Sequence, residues 1–315
     1  MRRSKHKFRN ANSHPSRTLL DIVRWKLGLK WHPHLAPAKK NAIHVEEATL
    51  PLPDALTTEP IRLTWIGHST FLIQIQGRNI LTDPIFGNCQ PLPYGRFRRV
   101  IPPGLRLDQL PPIHDVLISH SHYDHLDYRS IRALGPNVRY WVPKGLMSWF
   151  RKRGFRRCFE LGWWNTAPMT EAINIHCVPA QHGSSRSLFD RNRTHWCGWI
   201  IKSKERSIYF AGDTGYCPIF SAIGARFGPI DLSLIPIGAY EPRWLMQTVH
   251  LNPAEAVQVH LDVHSKLSVA CHWGTFRLTD ESLDDPPNAL AYALAAREID
   301  PASFVILKPG IAIDV

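Results

Sequence analysis

The sequence predicts a layered α/β fold, in which β-sheets are covered by α-helices. Between residues 61 and 310, short runs of β-branched and aromatic residues alternate with segments of helical apolar spacing. Side chains suited to metal binding follow several of the predicted strands, where α/β layers usually carry their sites. The chain has 315 residues and can therefore bury one large core or two smaller ones.

The individual elements follow from local patterns. Gly67 and Gly77 break the first three predicted strands. The predicted strands cover 61–66, 71–75, 79–82, 115–119, 139–142, 172–178, 207–211, 231–235, 267–270 and 304–307. Helices are predicted at 127–134, 145–153, 220–227, 253–263 and 289–298.

The N-terminal leader differs from the rest of the chain in charge. Residues 1–40 contain eleven Lys or Arg and one acid, Asp21, so +10 of the net +12 lies there. The near-neutral remainder argues against a broad nucleic-acid groove, and we expect no nucleic-acid partner. We therefore divide the chain into a leader and connector, 1–60, and a catalytic domain, 61–315.

A short amphipathic helix is predicted at 16–29, with Trp25 beside its basic residues. Two roles remain open for it: it lies on an anionic membrane surface, or it packs on the core. The N-terminus lacks the apolar region of a signal peptide, and the six cysteines include no C-x-x-C pair. We therefore expect a cytoplasmic protein. If the helix lies on a membrane, we expect the protein to attach peripherally to the inner face of that membrane.

The loop at 119–125 concentrates potential metal ligands in the pattern H-x-H-x-D-H. Alternate side chains of an extended segment face one side, so His120, His122 and Asp124 converge, and His125 adds a fourth donor. Imidazole and carboxylate together suit zinc, manganese or iron. A solvated polar loop would explain any one of these residues, but the four together indicate a metal site.

Three more candidate ligands follow predicted strands. His182, Asp213 and His272 each stand where an apolar run gives way to a glycine-containing turn. Alone, each would be interpreted as a hydrogen-bonded residue at a strand end. Their order and spacing after the H-x-H-x-D-H loop favour a common metal centre.

That order resembles the metallo-β-lactamase superfamily. Longer strings are similar to one branch of it, the N-acylphosphatidylethanolamine-hydrolysing phospholipase D family, with Ile-Gly-Ala-Tyr-Glu-Pro-Arg-Trp at 237–244 the most specific. The similar strings lie at 65–70, 81–86, 117–128, 210–218, 236–244 and 272–276. The resemblance covers roughly residues 61–310 and implies an αββα sandwich, two mixed sheets flanked by helices.

The resemblance also implies a dinuclear centre, with zinc as the expected metal. It assigns one metal to His120, His122 and His182, the second to Asp124, His125 and His272, and a bridging position to Asp213. It implies that Tyr123 and His250 contact the substrate headgroup, and we expect Asp124 and His250 to act in catalysis. His68 and Asp83 are expected to support ligands or turns.

The implied reaction is phospholipase D-type hydrolysis of N-acylphosphatidylethanolamine or a related phospholipid, with an activated water attacking phosphorus. No serine or cysteine nucleophile is then required. The segment 183–197 departs from the family pattern, so hydrolysis of a non-lipid phosphodiester, or of a lactone, ester or amide, remains an alternative. A non-catalytic scaffold would have lost ligands, and all seven positions are filled. Expected partners are the phospholipid and an anionic membrane surface, and a homodimer is compatible with the resemblance.

Overall fold

Two seven-stranded β-sheets form the centre of the computed structural model, which describes residues 7–12, 19–26, 60–89, 98–187 and 189–315. In chain order the strands are β1 (Arg62–Gly67), β2 (Thr70–Ile75), β3 (Arg78–Thr82), β4 (Asp115–Leu117), β5 (Arg139–Pro143), β6 (Cys158–Leu161), β7 (Thr166–Pro168), β8 (Asn174–Val178), β9 (Gly198–Lys202), β10 (Ser207–Phe210), β11 (Ile230–Pro236), β12 (Ser265–Cys271), β13 (Phe304–Val305) and β14 (Ala312–Asp314). The helices are α1 (Leu19–Lys26), α2 (Tyr128–Leu134), α3 (Met147–Arg151), α4 (Ile219–Phe227), α5 (Arg243–Met246), α6 (Pro253–Asp262) and α7 (Asp285–Ala295).

Both sheets are mixed and are built in a similar way. The first has the order β14-β1-β2-β3-β4-β5-β6, antiparallel up to β3 and parallel from β3 to β6. The second has the order β13-β12-β11-β10-β9-β8-β7, parallel from β13 to β10 and antiparallel beyond. The strands β8, β10, β11 and β12 therefore point the same way, and their carboxyl ends meet at one edge.

Alternation along the strands separates two apolar layers. In β2, Phe71 and Ile73 belong to the core between the sheets, whereas Leu72 faces the cluster that includes Ile131 of α2 and Phe150 of α3. Successive strand side chains point to opposite faces, so one strand serves both layers. The predicted α/β sandwich, two mixed sheets flanked by helices, is confirmed.

Two helices begin beside the predicted site. Asp127 caps α2 by accepting hydrogen bonds from the backbone N–H groups of Arg129 and Ser130, directly after the loop at 119–125. Asn252 caps α6 in a reciprocal capping box with Glu255, two residues after His250. These caps fix where the chain leaves the site.

Some boundaries differ from those predicted. The strands β6, β7, β9 and β14 were not predicted, and α7 begins at Asp285, before two prolines that are tolerated in a first helical turn. The predicted helix 145–153 is shorter in the structure, because left-handed Gly145 and Gly154 bound it. The ends of the predicted 16–29 helix lie outside the described residues. Within the described ranges, none of the helices combines the length and apolar character needed to cross a membrane.

Candidate metal centre

The predicted site residues meet at the carboxyl ends of β4, β8, β10 and β12. His120, His122, Asp124 and His125 lie in the loop after β4, which belongs to the first sheet. The second sheet provides its residues one at a time: His182 after β8, Asp213 after β10 and His272 after β12. His250 follows α5, which lies between β11 and β12 in the chain. The site therefore lies where the two sheets face each other.

One group of nitrogen atoms consists of His120, His122 and His182. His122 Nδ1 lies 2.8 Å from His120 Nε2 and 3.2 Å from His182 Nε2. Two ligands bound tetrahedrally to one zinc ion at about 2.0–2.1 Å lie about 3.3 Å from each other. The spacing of the three imidazoles matches one shared cation.

The second group consists of Asp124, His125 and His272. Asp124 Oδ2 lies 3.3 Å from His125 Nε2 and 3.5 Å from His272 Nε2. Asp213 Oδ2 lies 3.2 Å from the same two Nε2 atoms and, on its other side, 3.7 Å from His182 Nε2. Asp213 thus stands between the two groups, and its bridging role remains the prediction that the resemblance implied.

The polar atoms at the centre suit a cation better than they suit each other. Asp213 Oδ1 and the Nε2 atoms of His125 and His272 are buried and make no well-directed hydrogen bond with the residues that the structure describes, although both nitrogen atoms lie 3.2 Å from Asp213 Oδ2. A buried polar atom without a hydrogen bond costs about 1–3 kcal/mol. A divalent metal would satisfy all three, so this set of nitrogen and oxygen donors fits two metal ions.

The charges of the centre are strongly interdependent. Burial raises the pKa of Asp213, but His125 and His272 outweigh it and hold that pKa well below its usual range. Burial lowers the pKa of His272, whereas the neighbouring Asp213 and Asp124 raise it to about 9. For His120, burial and the surrounding histidines lower the pKa well below 6.5. Two buried carboxylates therefore hold positive charge in the centre, which a metal would replace.

Neighbouring groups orient two of the histidines. Asp83 Oδ2 lies 2.6 Å from His125 Nδ1, and the same carboxylate accepts hydrogen bonds from the Ser119 backbone N–H and hydroxyl. His182 Nδ1 lies 2.8 Å from the Val249 carbonyl oxygen, so this nitrogen carries the proton. In both rings Nε2 is left to face the centre. The supporting role expected for Asp83 matches this contact.

Backbone strain is concentrated beside the candidate ligands. His68, Asp83 and His272 have φ values of 55°, 33° and 59°, in the left-handed region that L-residues rarely adopt. His68 Nε2 lies 3.1 Å from Asp124 Oδ2, and its carbonyl oxygen accepts a hydrogen bond from the His272 N–H. Strained positions of this kind are typical of functional sites, because the surrounding structure must hold them in place.

The structure places the two predicted headgroup residues differently. His250 borders the centre: its Nδ1 lies 3.9 Å from Asp213 Oδ2, and its ring centroid lies 5.1 Å from that of His182. The Tyr123 hydroxyl donates to the Arg186 carbonyl oxygen at 2.8 Å and contacts no candidate metal ligand in the described hydrogen bonds. The Tyr123 ring packs against the small buried cluster of Ile85, Cys89 and Phe276.

Arg186 is a site-forming residue that sequence reasoning missed. Its guanidinium lies 3.9 Å from the Tyr123 ring centroid and donates to the carbonyl oxygens of Ser121 and Leu126 at 2.8 Å. It thereby ties the segment after β8 to the loop that carries four candidate ligands. The sequence offers no local signal for this role, because Arg186 lies in a segment that departs from the family pattern.

A close backbone approach joins the two sides of the centre. Gly212 has a φ of +61°, and a Cβ atom there would lie 2.6 Å from Ser119 Cβ and 2.9 Å from the Cys197 carbonyl oxygen. Only glycine fits this position without strain. The turn that presents Asp213 therefore packs directly on the loop that begins at Ser119.

Comparisons with known proteins identify the family of this chain. The β-lactamase superfamily domain model matches residues 78–273. The chain is 36% identical over 323 residues to N-acyl-phosphatidylethanolamine-hydrolyzing phospholipase D 1 of Caenorhabditis elegans, covering 96% of this chain and 89% of that protein. It is 33% identical over 279 residues to the mitochondrial N-acyl-phosphatidylethanolamine-hydrolyzing phospholipase D of Saccharomyces cerevisiae, covering 82% of this chain and 60% of that one.

A solved structure shares the fold. Igni18, a metallo hydrolase of the archaeon Ignicoccus hospitalis, superposes with a TM-score of 0.64 at 20% identity. The match covers 82% of this chain and 99% of that protein. At this identity the similarity shows the arrangement of sheets and helices alone.

Proposed function

This chain belongs to the β-lactamase superfamily and to its N-acyl-phosphatidylethanolamine-hydrolysing phospholipase D branch, and from that premise we propose that it hydrolyses a phospholipid phosphodiester. The proposed substrate is N-acylphosphatidylethanolamine or a related phospholipid. The observation that carries the proposal is the position of Asp213 between two clusters of imidazoles. The chain is a metal-dependent hydrolase by family, and the substrate and the residue roles below are our proposal.

The ligands are proposed as two sets that share Asp213. One ion would be held by His120, His122 and His182, and the other by Asp124, His125 and His272. When bound, a pair of divalent ions lowers the pKa of water and neutralises phosphate oxygens. Zinc is the proposed metal because tetrahedral nitrogen and oxygen sets suit it.

His250 is proposed to bind the phosphate. Its side chain is 13% exposed, and it lies beside Asp213 at the open side of the centre. A donor at this position can follow the charge that develops on phosphate oxygens during attack. Asp124, which His68 and His125 hold in place, is proposed to orient the water.

Tyr123 is proposed to contact the amide of the headgroup. Its hydroxyl proton is used in the hydrogen bond to the Arg186 carbonyl, so its oxygen remains as an acceptor. An N-acylethanolamine carries an amide N–H, which is the matching donor. This pairing would favour N-acylated phospholipids over those with a choline headgroup, which has no N–H.

Exposed apolar side chains support the proposed contact with a membrane. Phe189 is 84% exposed three residues after Arg186, and Leu20 and Val23 of α1 are 55% and 41% exposed. Helix α1 is joined to the domain by Trp25, whose indole N–H donates to Asp280 at 2.5 Å. We propose that these side chains and the basic leader contact an anionic membrane surface, with the protein peripheral on the cytoplasmic side.

Oxygen-18 labelling tests the bond that is broken. Hydrolysis of N-acylphosphatidylethanolamine in labelled water should place the label in phosphatidic acid, because water attacks phosphorus. Label in a released fatty acid would make the protein an ester or amide hydrolase and would overturn the proposed reaction. Activity that survives removal of all bound metal by a chelator would overturn the proposed centre.

Liposome binding tests the membrane contact separately. Phe189→Ser combined with Val23→Ser should weaken binding to phosphatidylserine vesicles several-fold and leave hydrolysis of a small soluble phosphodiester unchanged. Tyr292→Ser is the matched control, since Tyr292 is 78% exposed on α7. If the double variant and the Tyr292→Ser control bound the vesicles equally well, Phe189 and Val23 would not be part of the membrane contact.

A further inference from the structure

A short N-terminal segment contacts the backbone of a candidate metal ligand. The side chain of Asn10 pairs with both peptide groups of His182: Nδ2 donates to the His182 carbonyl oxygen at 2.9 Å, and Oδ1 accepts from the His182 N–H at 3.1 Å. Oδ1 also accepts from Trp196 Nε1 at 2.9 Å. These contacts cross 172 positions of the sequence, from the leader to the centre of the site.

His182 needs such a partner because it lies beyond the end of its strand. β8 ends at Val178, and the next backbone groups are held one by one. Gln181 donates its N–H to Thr214 Oγ1 and accepts from the Gly215 N–H through its carbonyl. At His182 the side-chain amide of Asn10 hydrogen-bonds both the N–H and the carbonyl oxygen, as the backbone of a neighbouring strand would.

The segment itself is anchored on the domain. The Phe8 ring stacks on His195 with centroids 4.4 Å apart, and His195 stacks on Trp163 at 4.1 Å. The Phe8 N–H donates to the Asn192 carbonyl oxygen at 2.8 Å. Stacking and a backbone hydrogen bond two residues before Asn10 fix the direction in which its amide points.

We propose that Asn10 is a positioning residue that completes the metal site of His120, His122 and His182. Two restraints act on His182: the Val249 carbonyl fixes its ring, and Asn10 fixes its backbone. Loss of the second restraint lets Nε2 move away from the other two imidazoles. The inference rests on the proposed function, because it assumes that these histidines bind a metal.

The test is metal affinity in the full-length protein. Wild type and Asn10→Ala are stripped with a chelator and titrated with zinc in competition with an indicator and with cobalt(II), whose absorption reports each site's geometry. Asn10→Ala should weaken one of the two binding steps about 10–100-fold, the usual effect of removing a partner that orients a ligand. The other step should be unchanged.

Two further variants sharpen the result. Asn10→Asp keeps the acceptor for the His182 N–H but sets a carboxylate oxygen against the His182 carbonyl oxygen, and these two acceptors repel. The same binding step should therefore weaken in this variant too, and it serves if Asn10→Ala does not fold. Arg9→Ala is the matched control, because Arg9 is exposed in the same segment. Its two binding steps should equal those of wild type.

A purely structural role predicts another pattern. In that case Asn10→Ala would lower the melting temperature of the metal-free protein while both binding steps stayed within twofold of wild type, or both would weaken equally. Either result, in a wild type that binds two ions, would overturn this inference alone. A wild type that binds no divalent ion would overturn the proposed function together with it.

Discussion

The two sides of the candidate metal centre are built in opposite ways. The first sheet provides His120, His122, Asp124 and His125 from a single loop after β4. The second sheet provides its residues from separate loops, each of which needs its own support. His182, for example, depends on Asn10 and Val249, and His272 donates its N–H to the His68 carbonyl.

The difference teaches how each side is specified. On the first side, the four candidate ligands lie close together in one loop, so the local backbone conformation sets their relative positions. Asp83 holds this loop in place through three contacts, two with Ser119 and one with His125. On the other side, the relative positions follow from strand register and packing. We therefore expect changes in the second sheet's supports to reduce activity through misplacement, even where no ligand is removed.

The largest effect is expected where the two sides meet. Asp213→Ala should lower kcat/KM about a thousandfold, because the loss of transition-state charge stabilisation amounts to several kcal/mol. Bound metal, measured by elemental analysis, should fall below that of wild type. Asp262→Ala, which removes a carboxylate bonded to Tyr216, is the control and should retain both. Full metal content in Asp213→Ala would contradict the bridging position.

A smaller effect is expected for Gly212→Ala, which leaves every ligand in place. The added Cβ would meet Ser119 Cβ at 2.6 Å and push the Asp213 turn away from the other side. Overpacking and left-handed strain together should lower the free energy of unfolding by about 2–5 kcal/mol, and kcat/KM about a hundredfold.

The matched control for this clash is Gly77→Ala. Gly77 also has a positive φ, +73°, but a Cβ there meets no atom within 4 Å among the described residues. It should lose about 1–2 kcal/mol of unfolding free energy from strain alone and keep its activity. Equal losses of activity in both variants, compared by denaturant unfolding and kinetics, would mean that the contact with Ser119 is unimportant.

Arg186→Lys tests the contact that Arg186 makes between the segment after β8 and the loop at 119–125, and we expect an effect on activity smaller than that of Gly212→Ala. In Arg186, Nη1 donates to the Ser121 and Leu126 carbonyls while the planar guanidinium stacks on Tyr123. Lysine keeps the charge but has no planar group that can stack and donate at the same time. We expect about a tenfold lower kcat/KM with bound metal unchanged. Arg153→Lys, which alters a guanidinium 4.1 Å from the Trp149 ring, should behave as wild type. Arg186→Lys with wild-type kinetics would contradict the role of the stacked guanidinium.

The smallest effect on activity is expected for Asp231, which lies at the amino end of β11, the end opposite the site. Burial raises the pKa of Asp231, but hydrogen bonds from Lys266 and Ser207 outweigh it and lower that pKa below its usual value. The resulting stabilisation is present above the unfolded pKa, about 4, and is lost as pH falls through the folded pKa.

Asp231→Asn removes this titration. Its melting temperature should therefore fall less than that of wild type between pH 5 and pH 3, while activity at neutral pH stays the same. Thermal unfolding at several pH values measures the first, and kinetics the second. If Asp231→Asn lost as much activity as Arg186→Lys, the site would depend on the whole length of β11 and not on its carboxyl end alone.

The sequence determined the local features of this protein. Alternating and helical apolar spacings predicted most strands and helices, and the H-x-H-x-D-H loop carries four candidate ligands within six positions. The later ligands were found because each follows an apolar run. The edge strands β6, β7 and β14 were missed because short, partly exposed strands leave a weak apolar pattern.

Only the tertiary structure decided which distant residues support the site. Asn10 lies in a charged leader and Arg186 in a divergent segment, and neither has a pattern around it that indicates a role. Their contacts with His182 and with the loop at 119–125 exist because the sheets and loops pack together. A side chain that hydrogen-bonds a distant backbone group leaves no periodic trace in the sequence, since any backbone N–H or carbonyl offers the same partner.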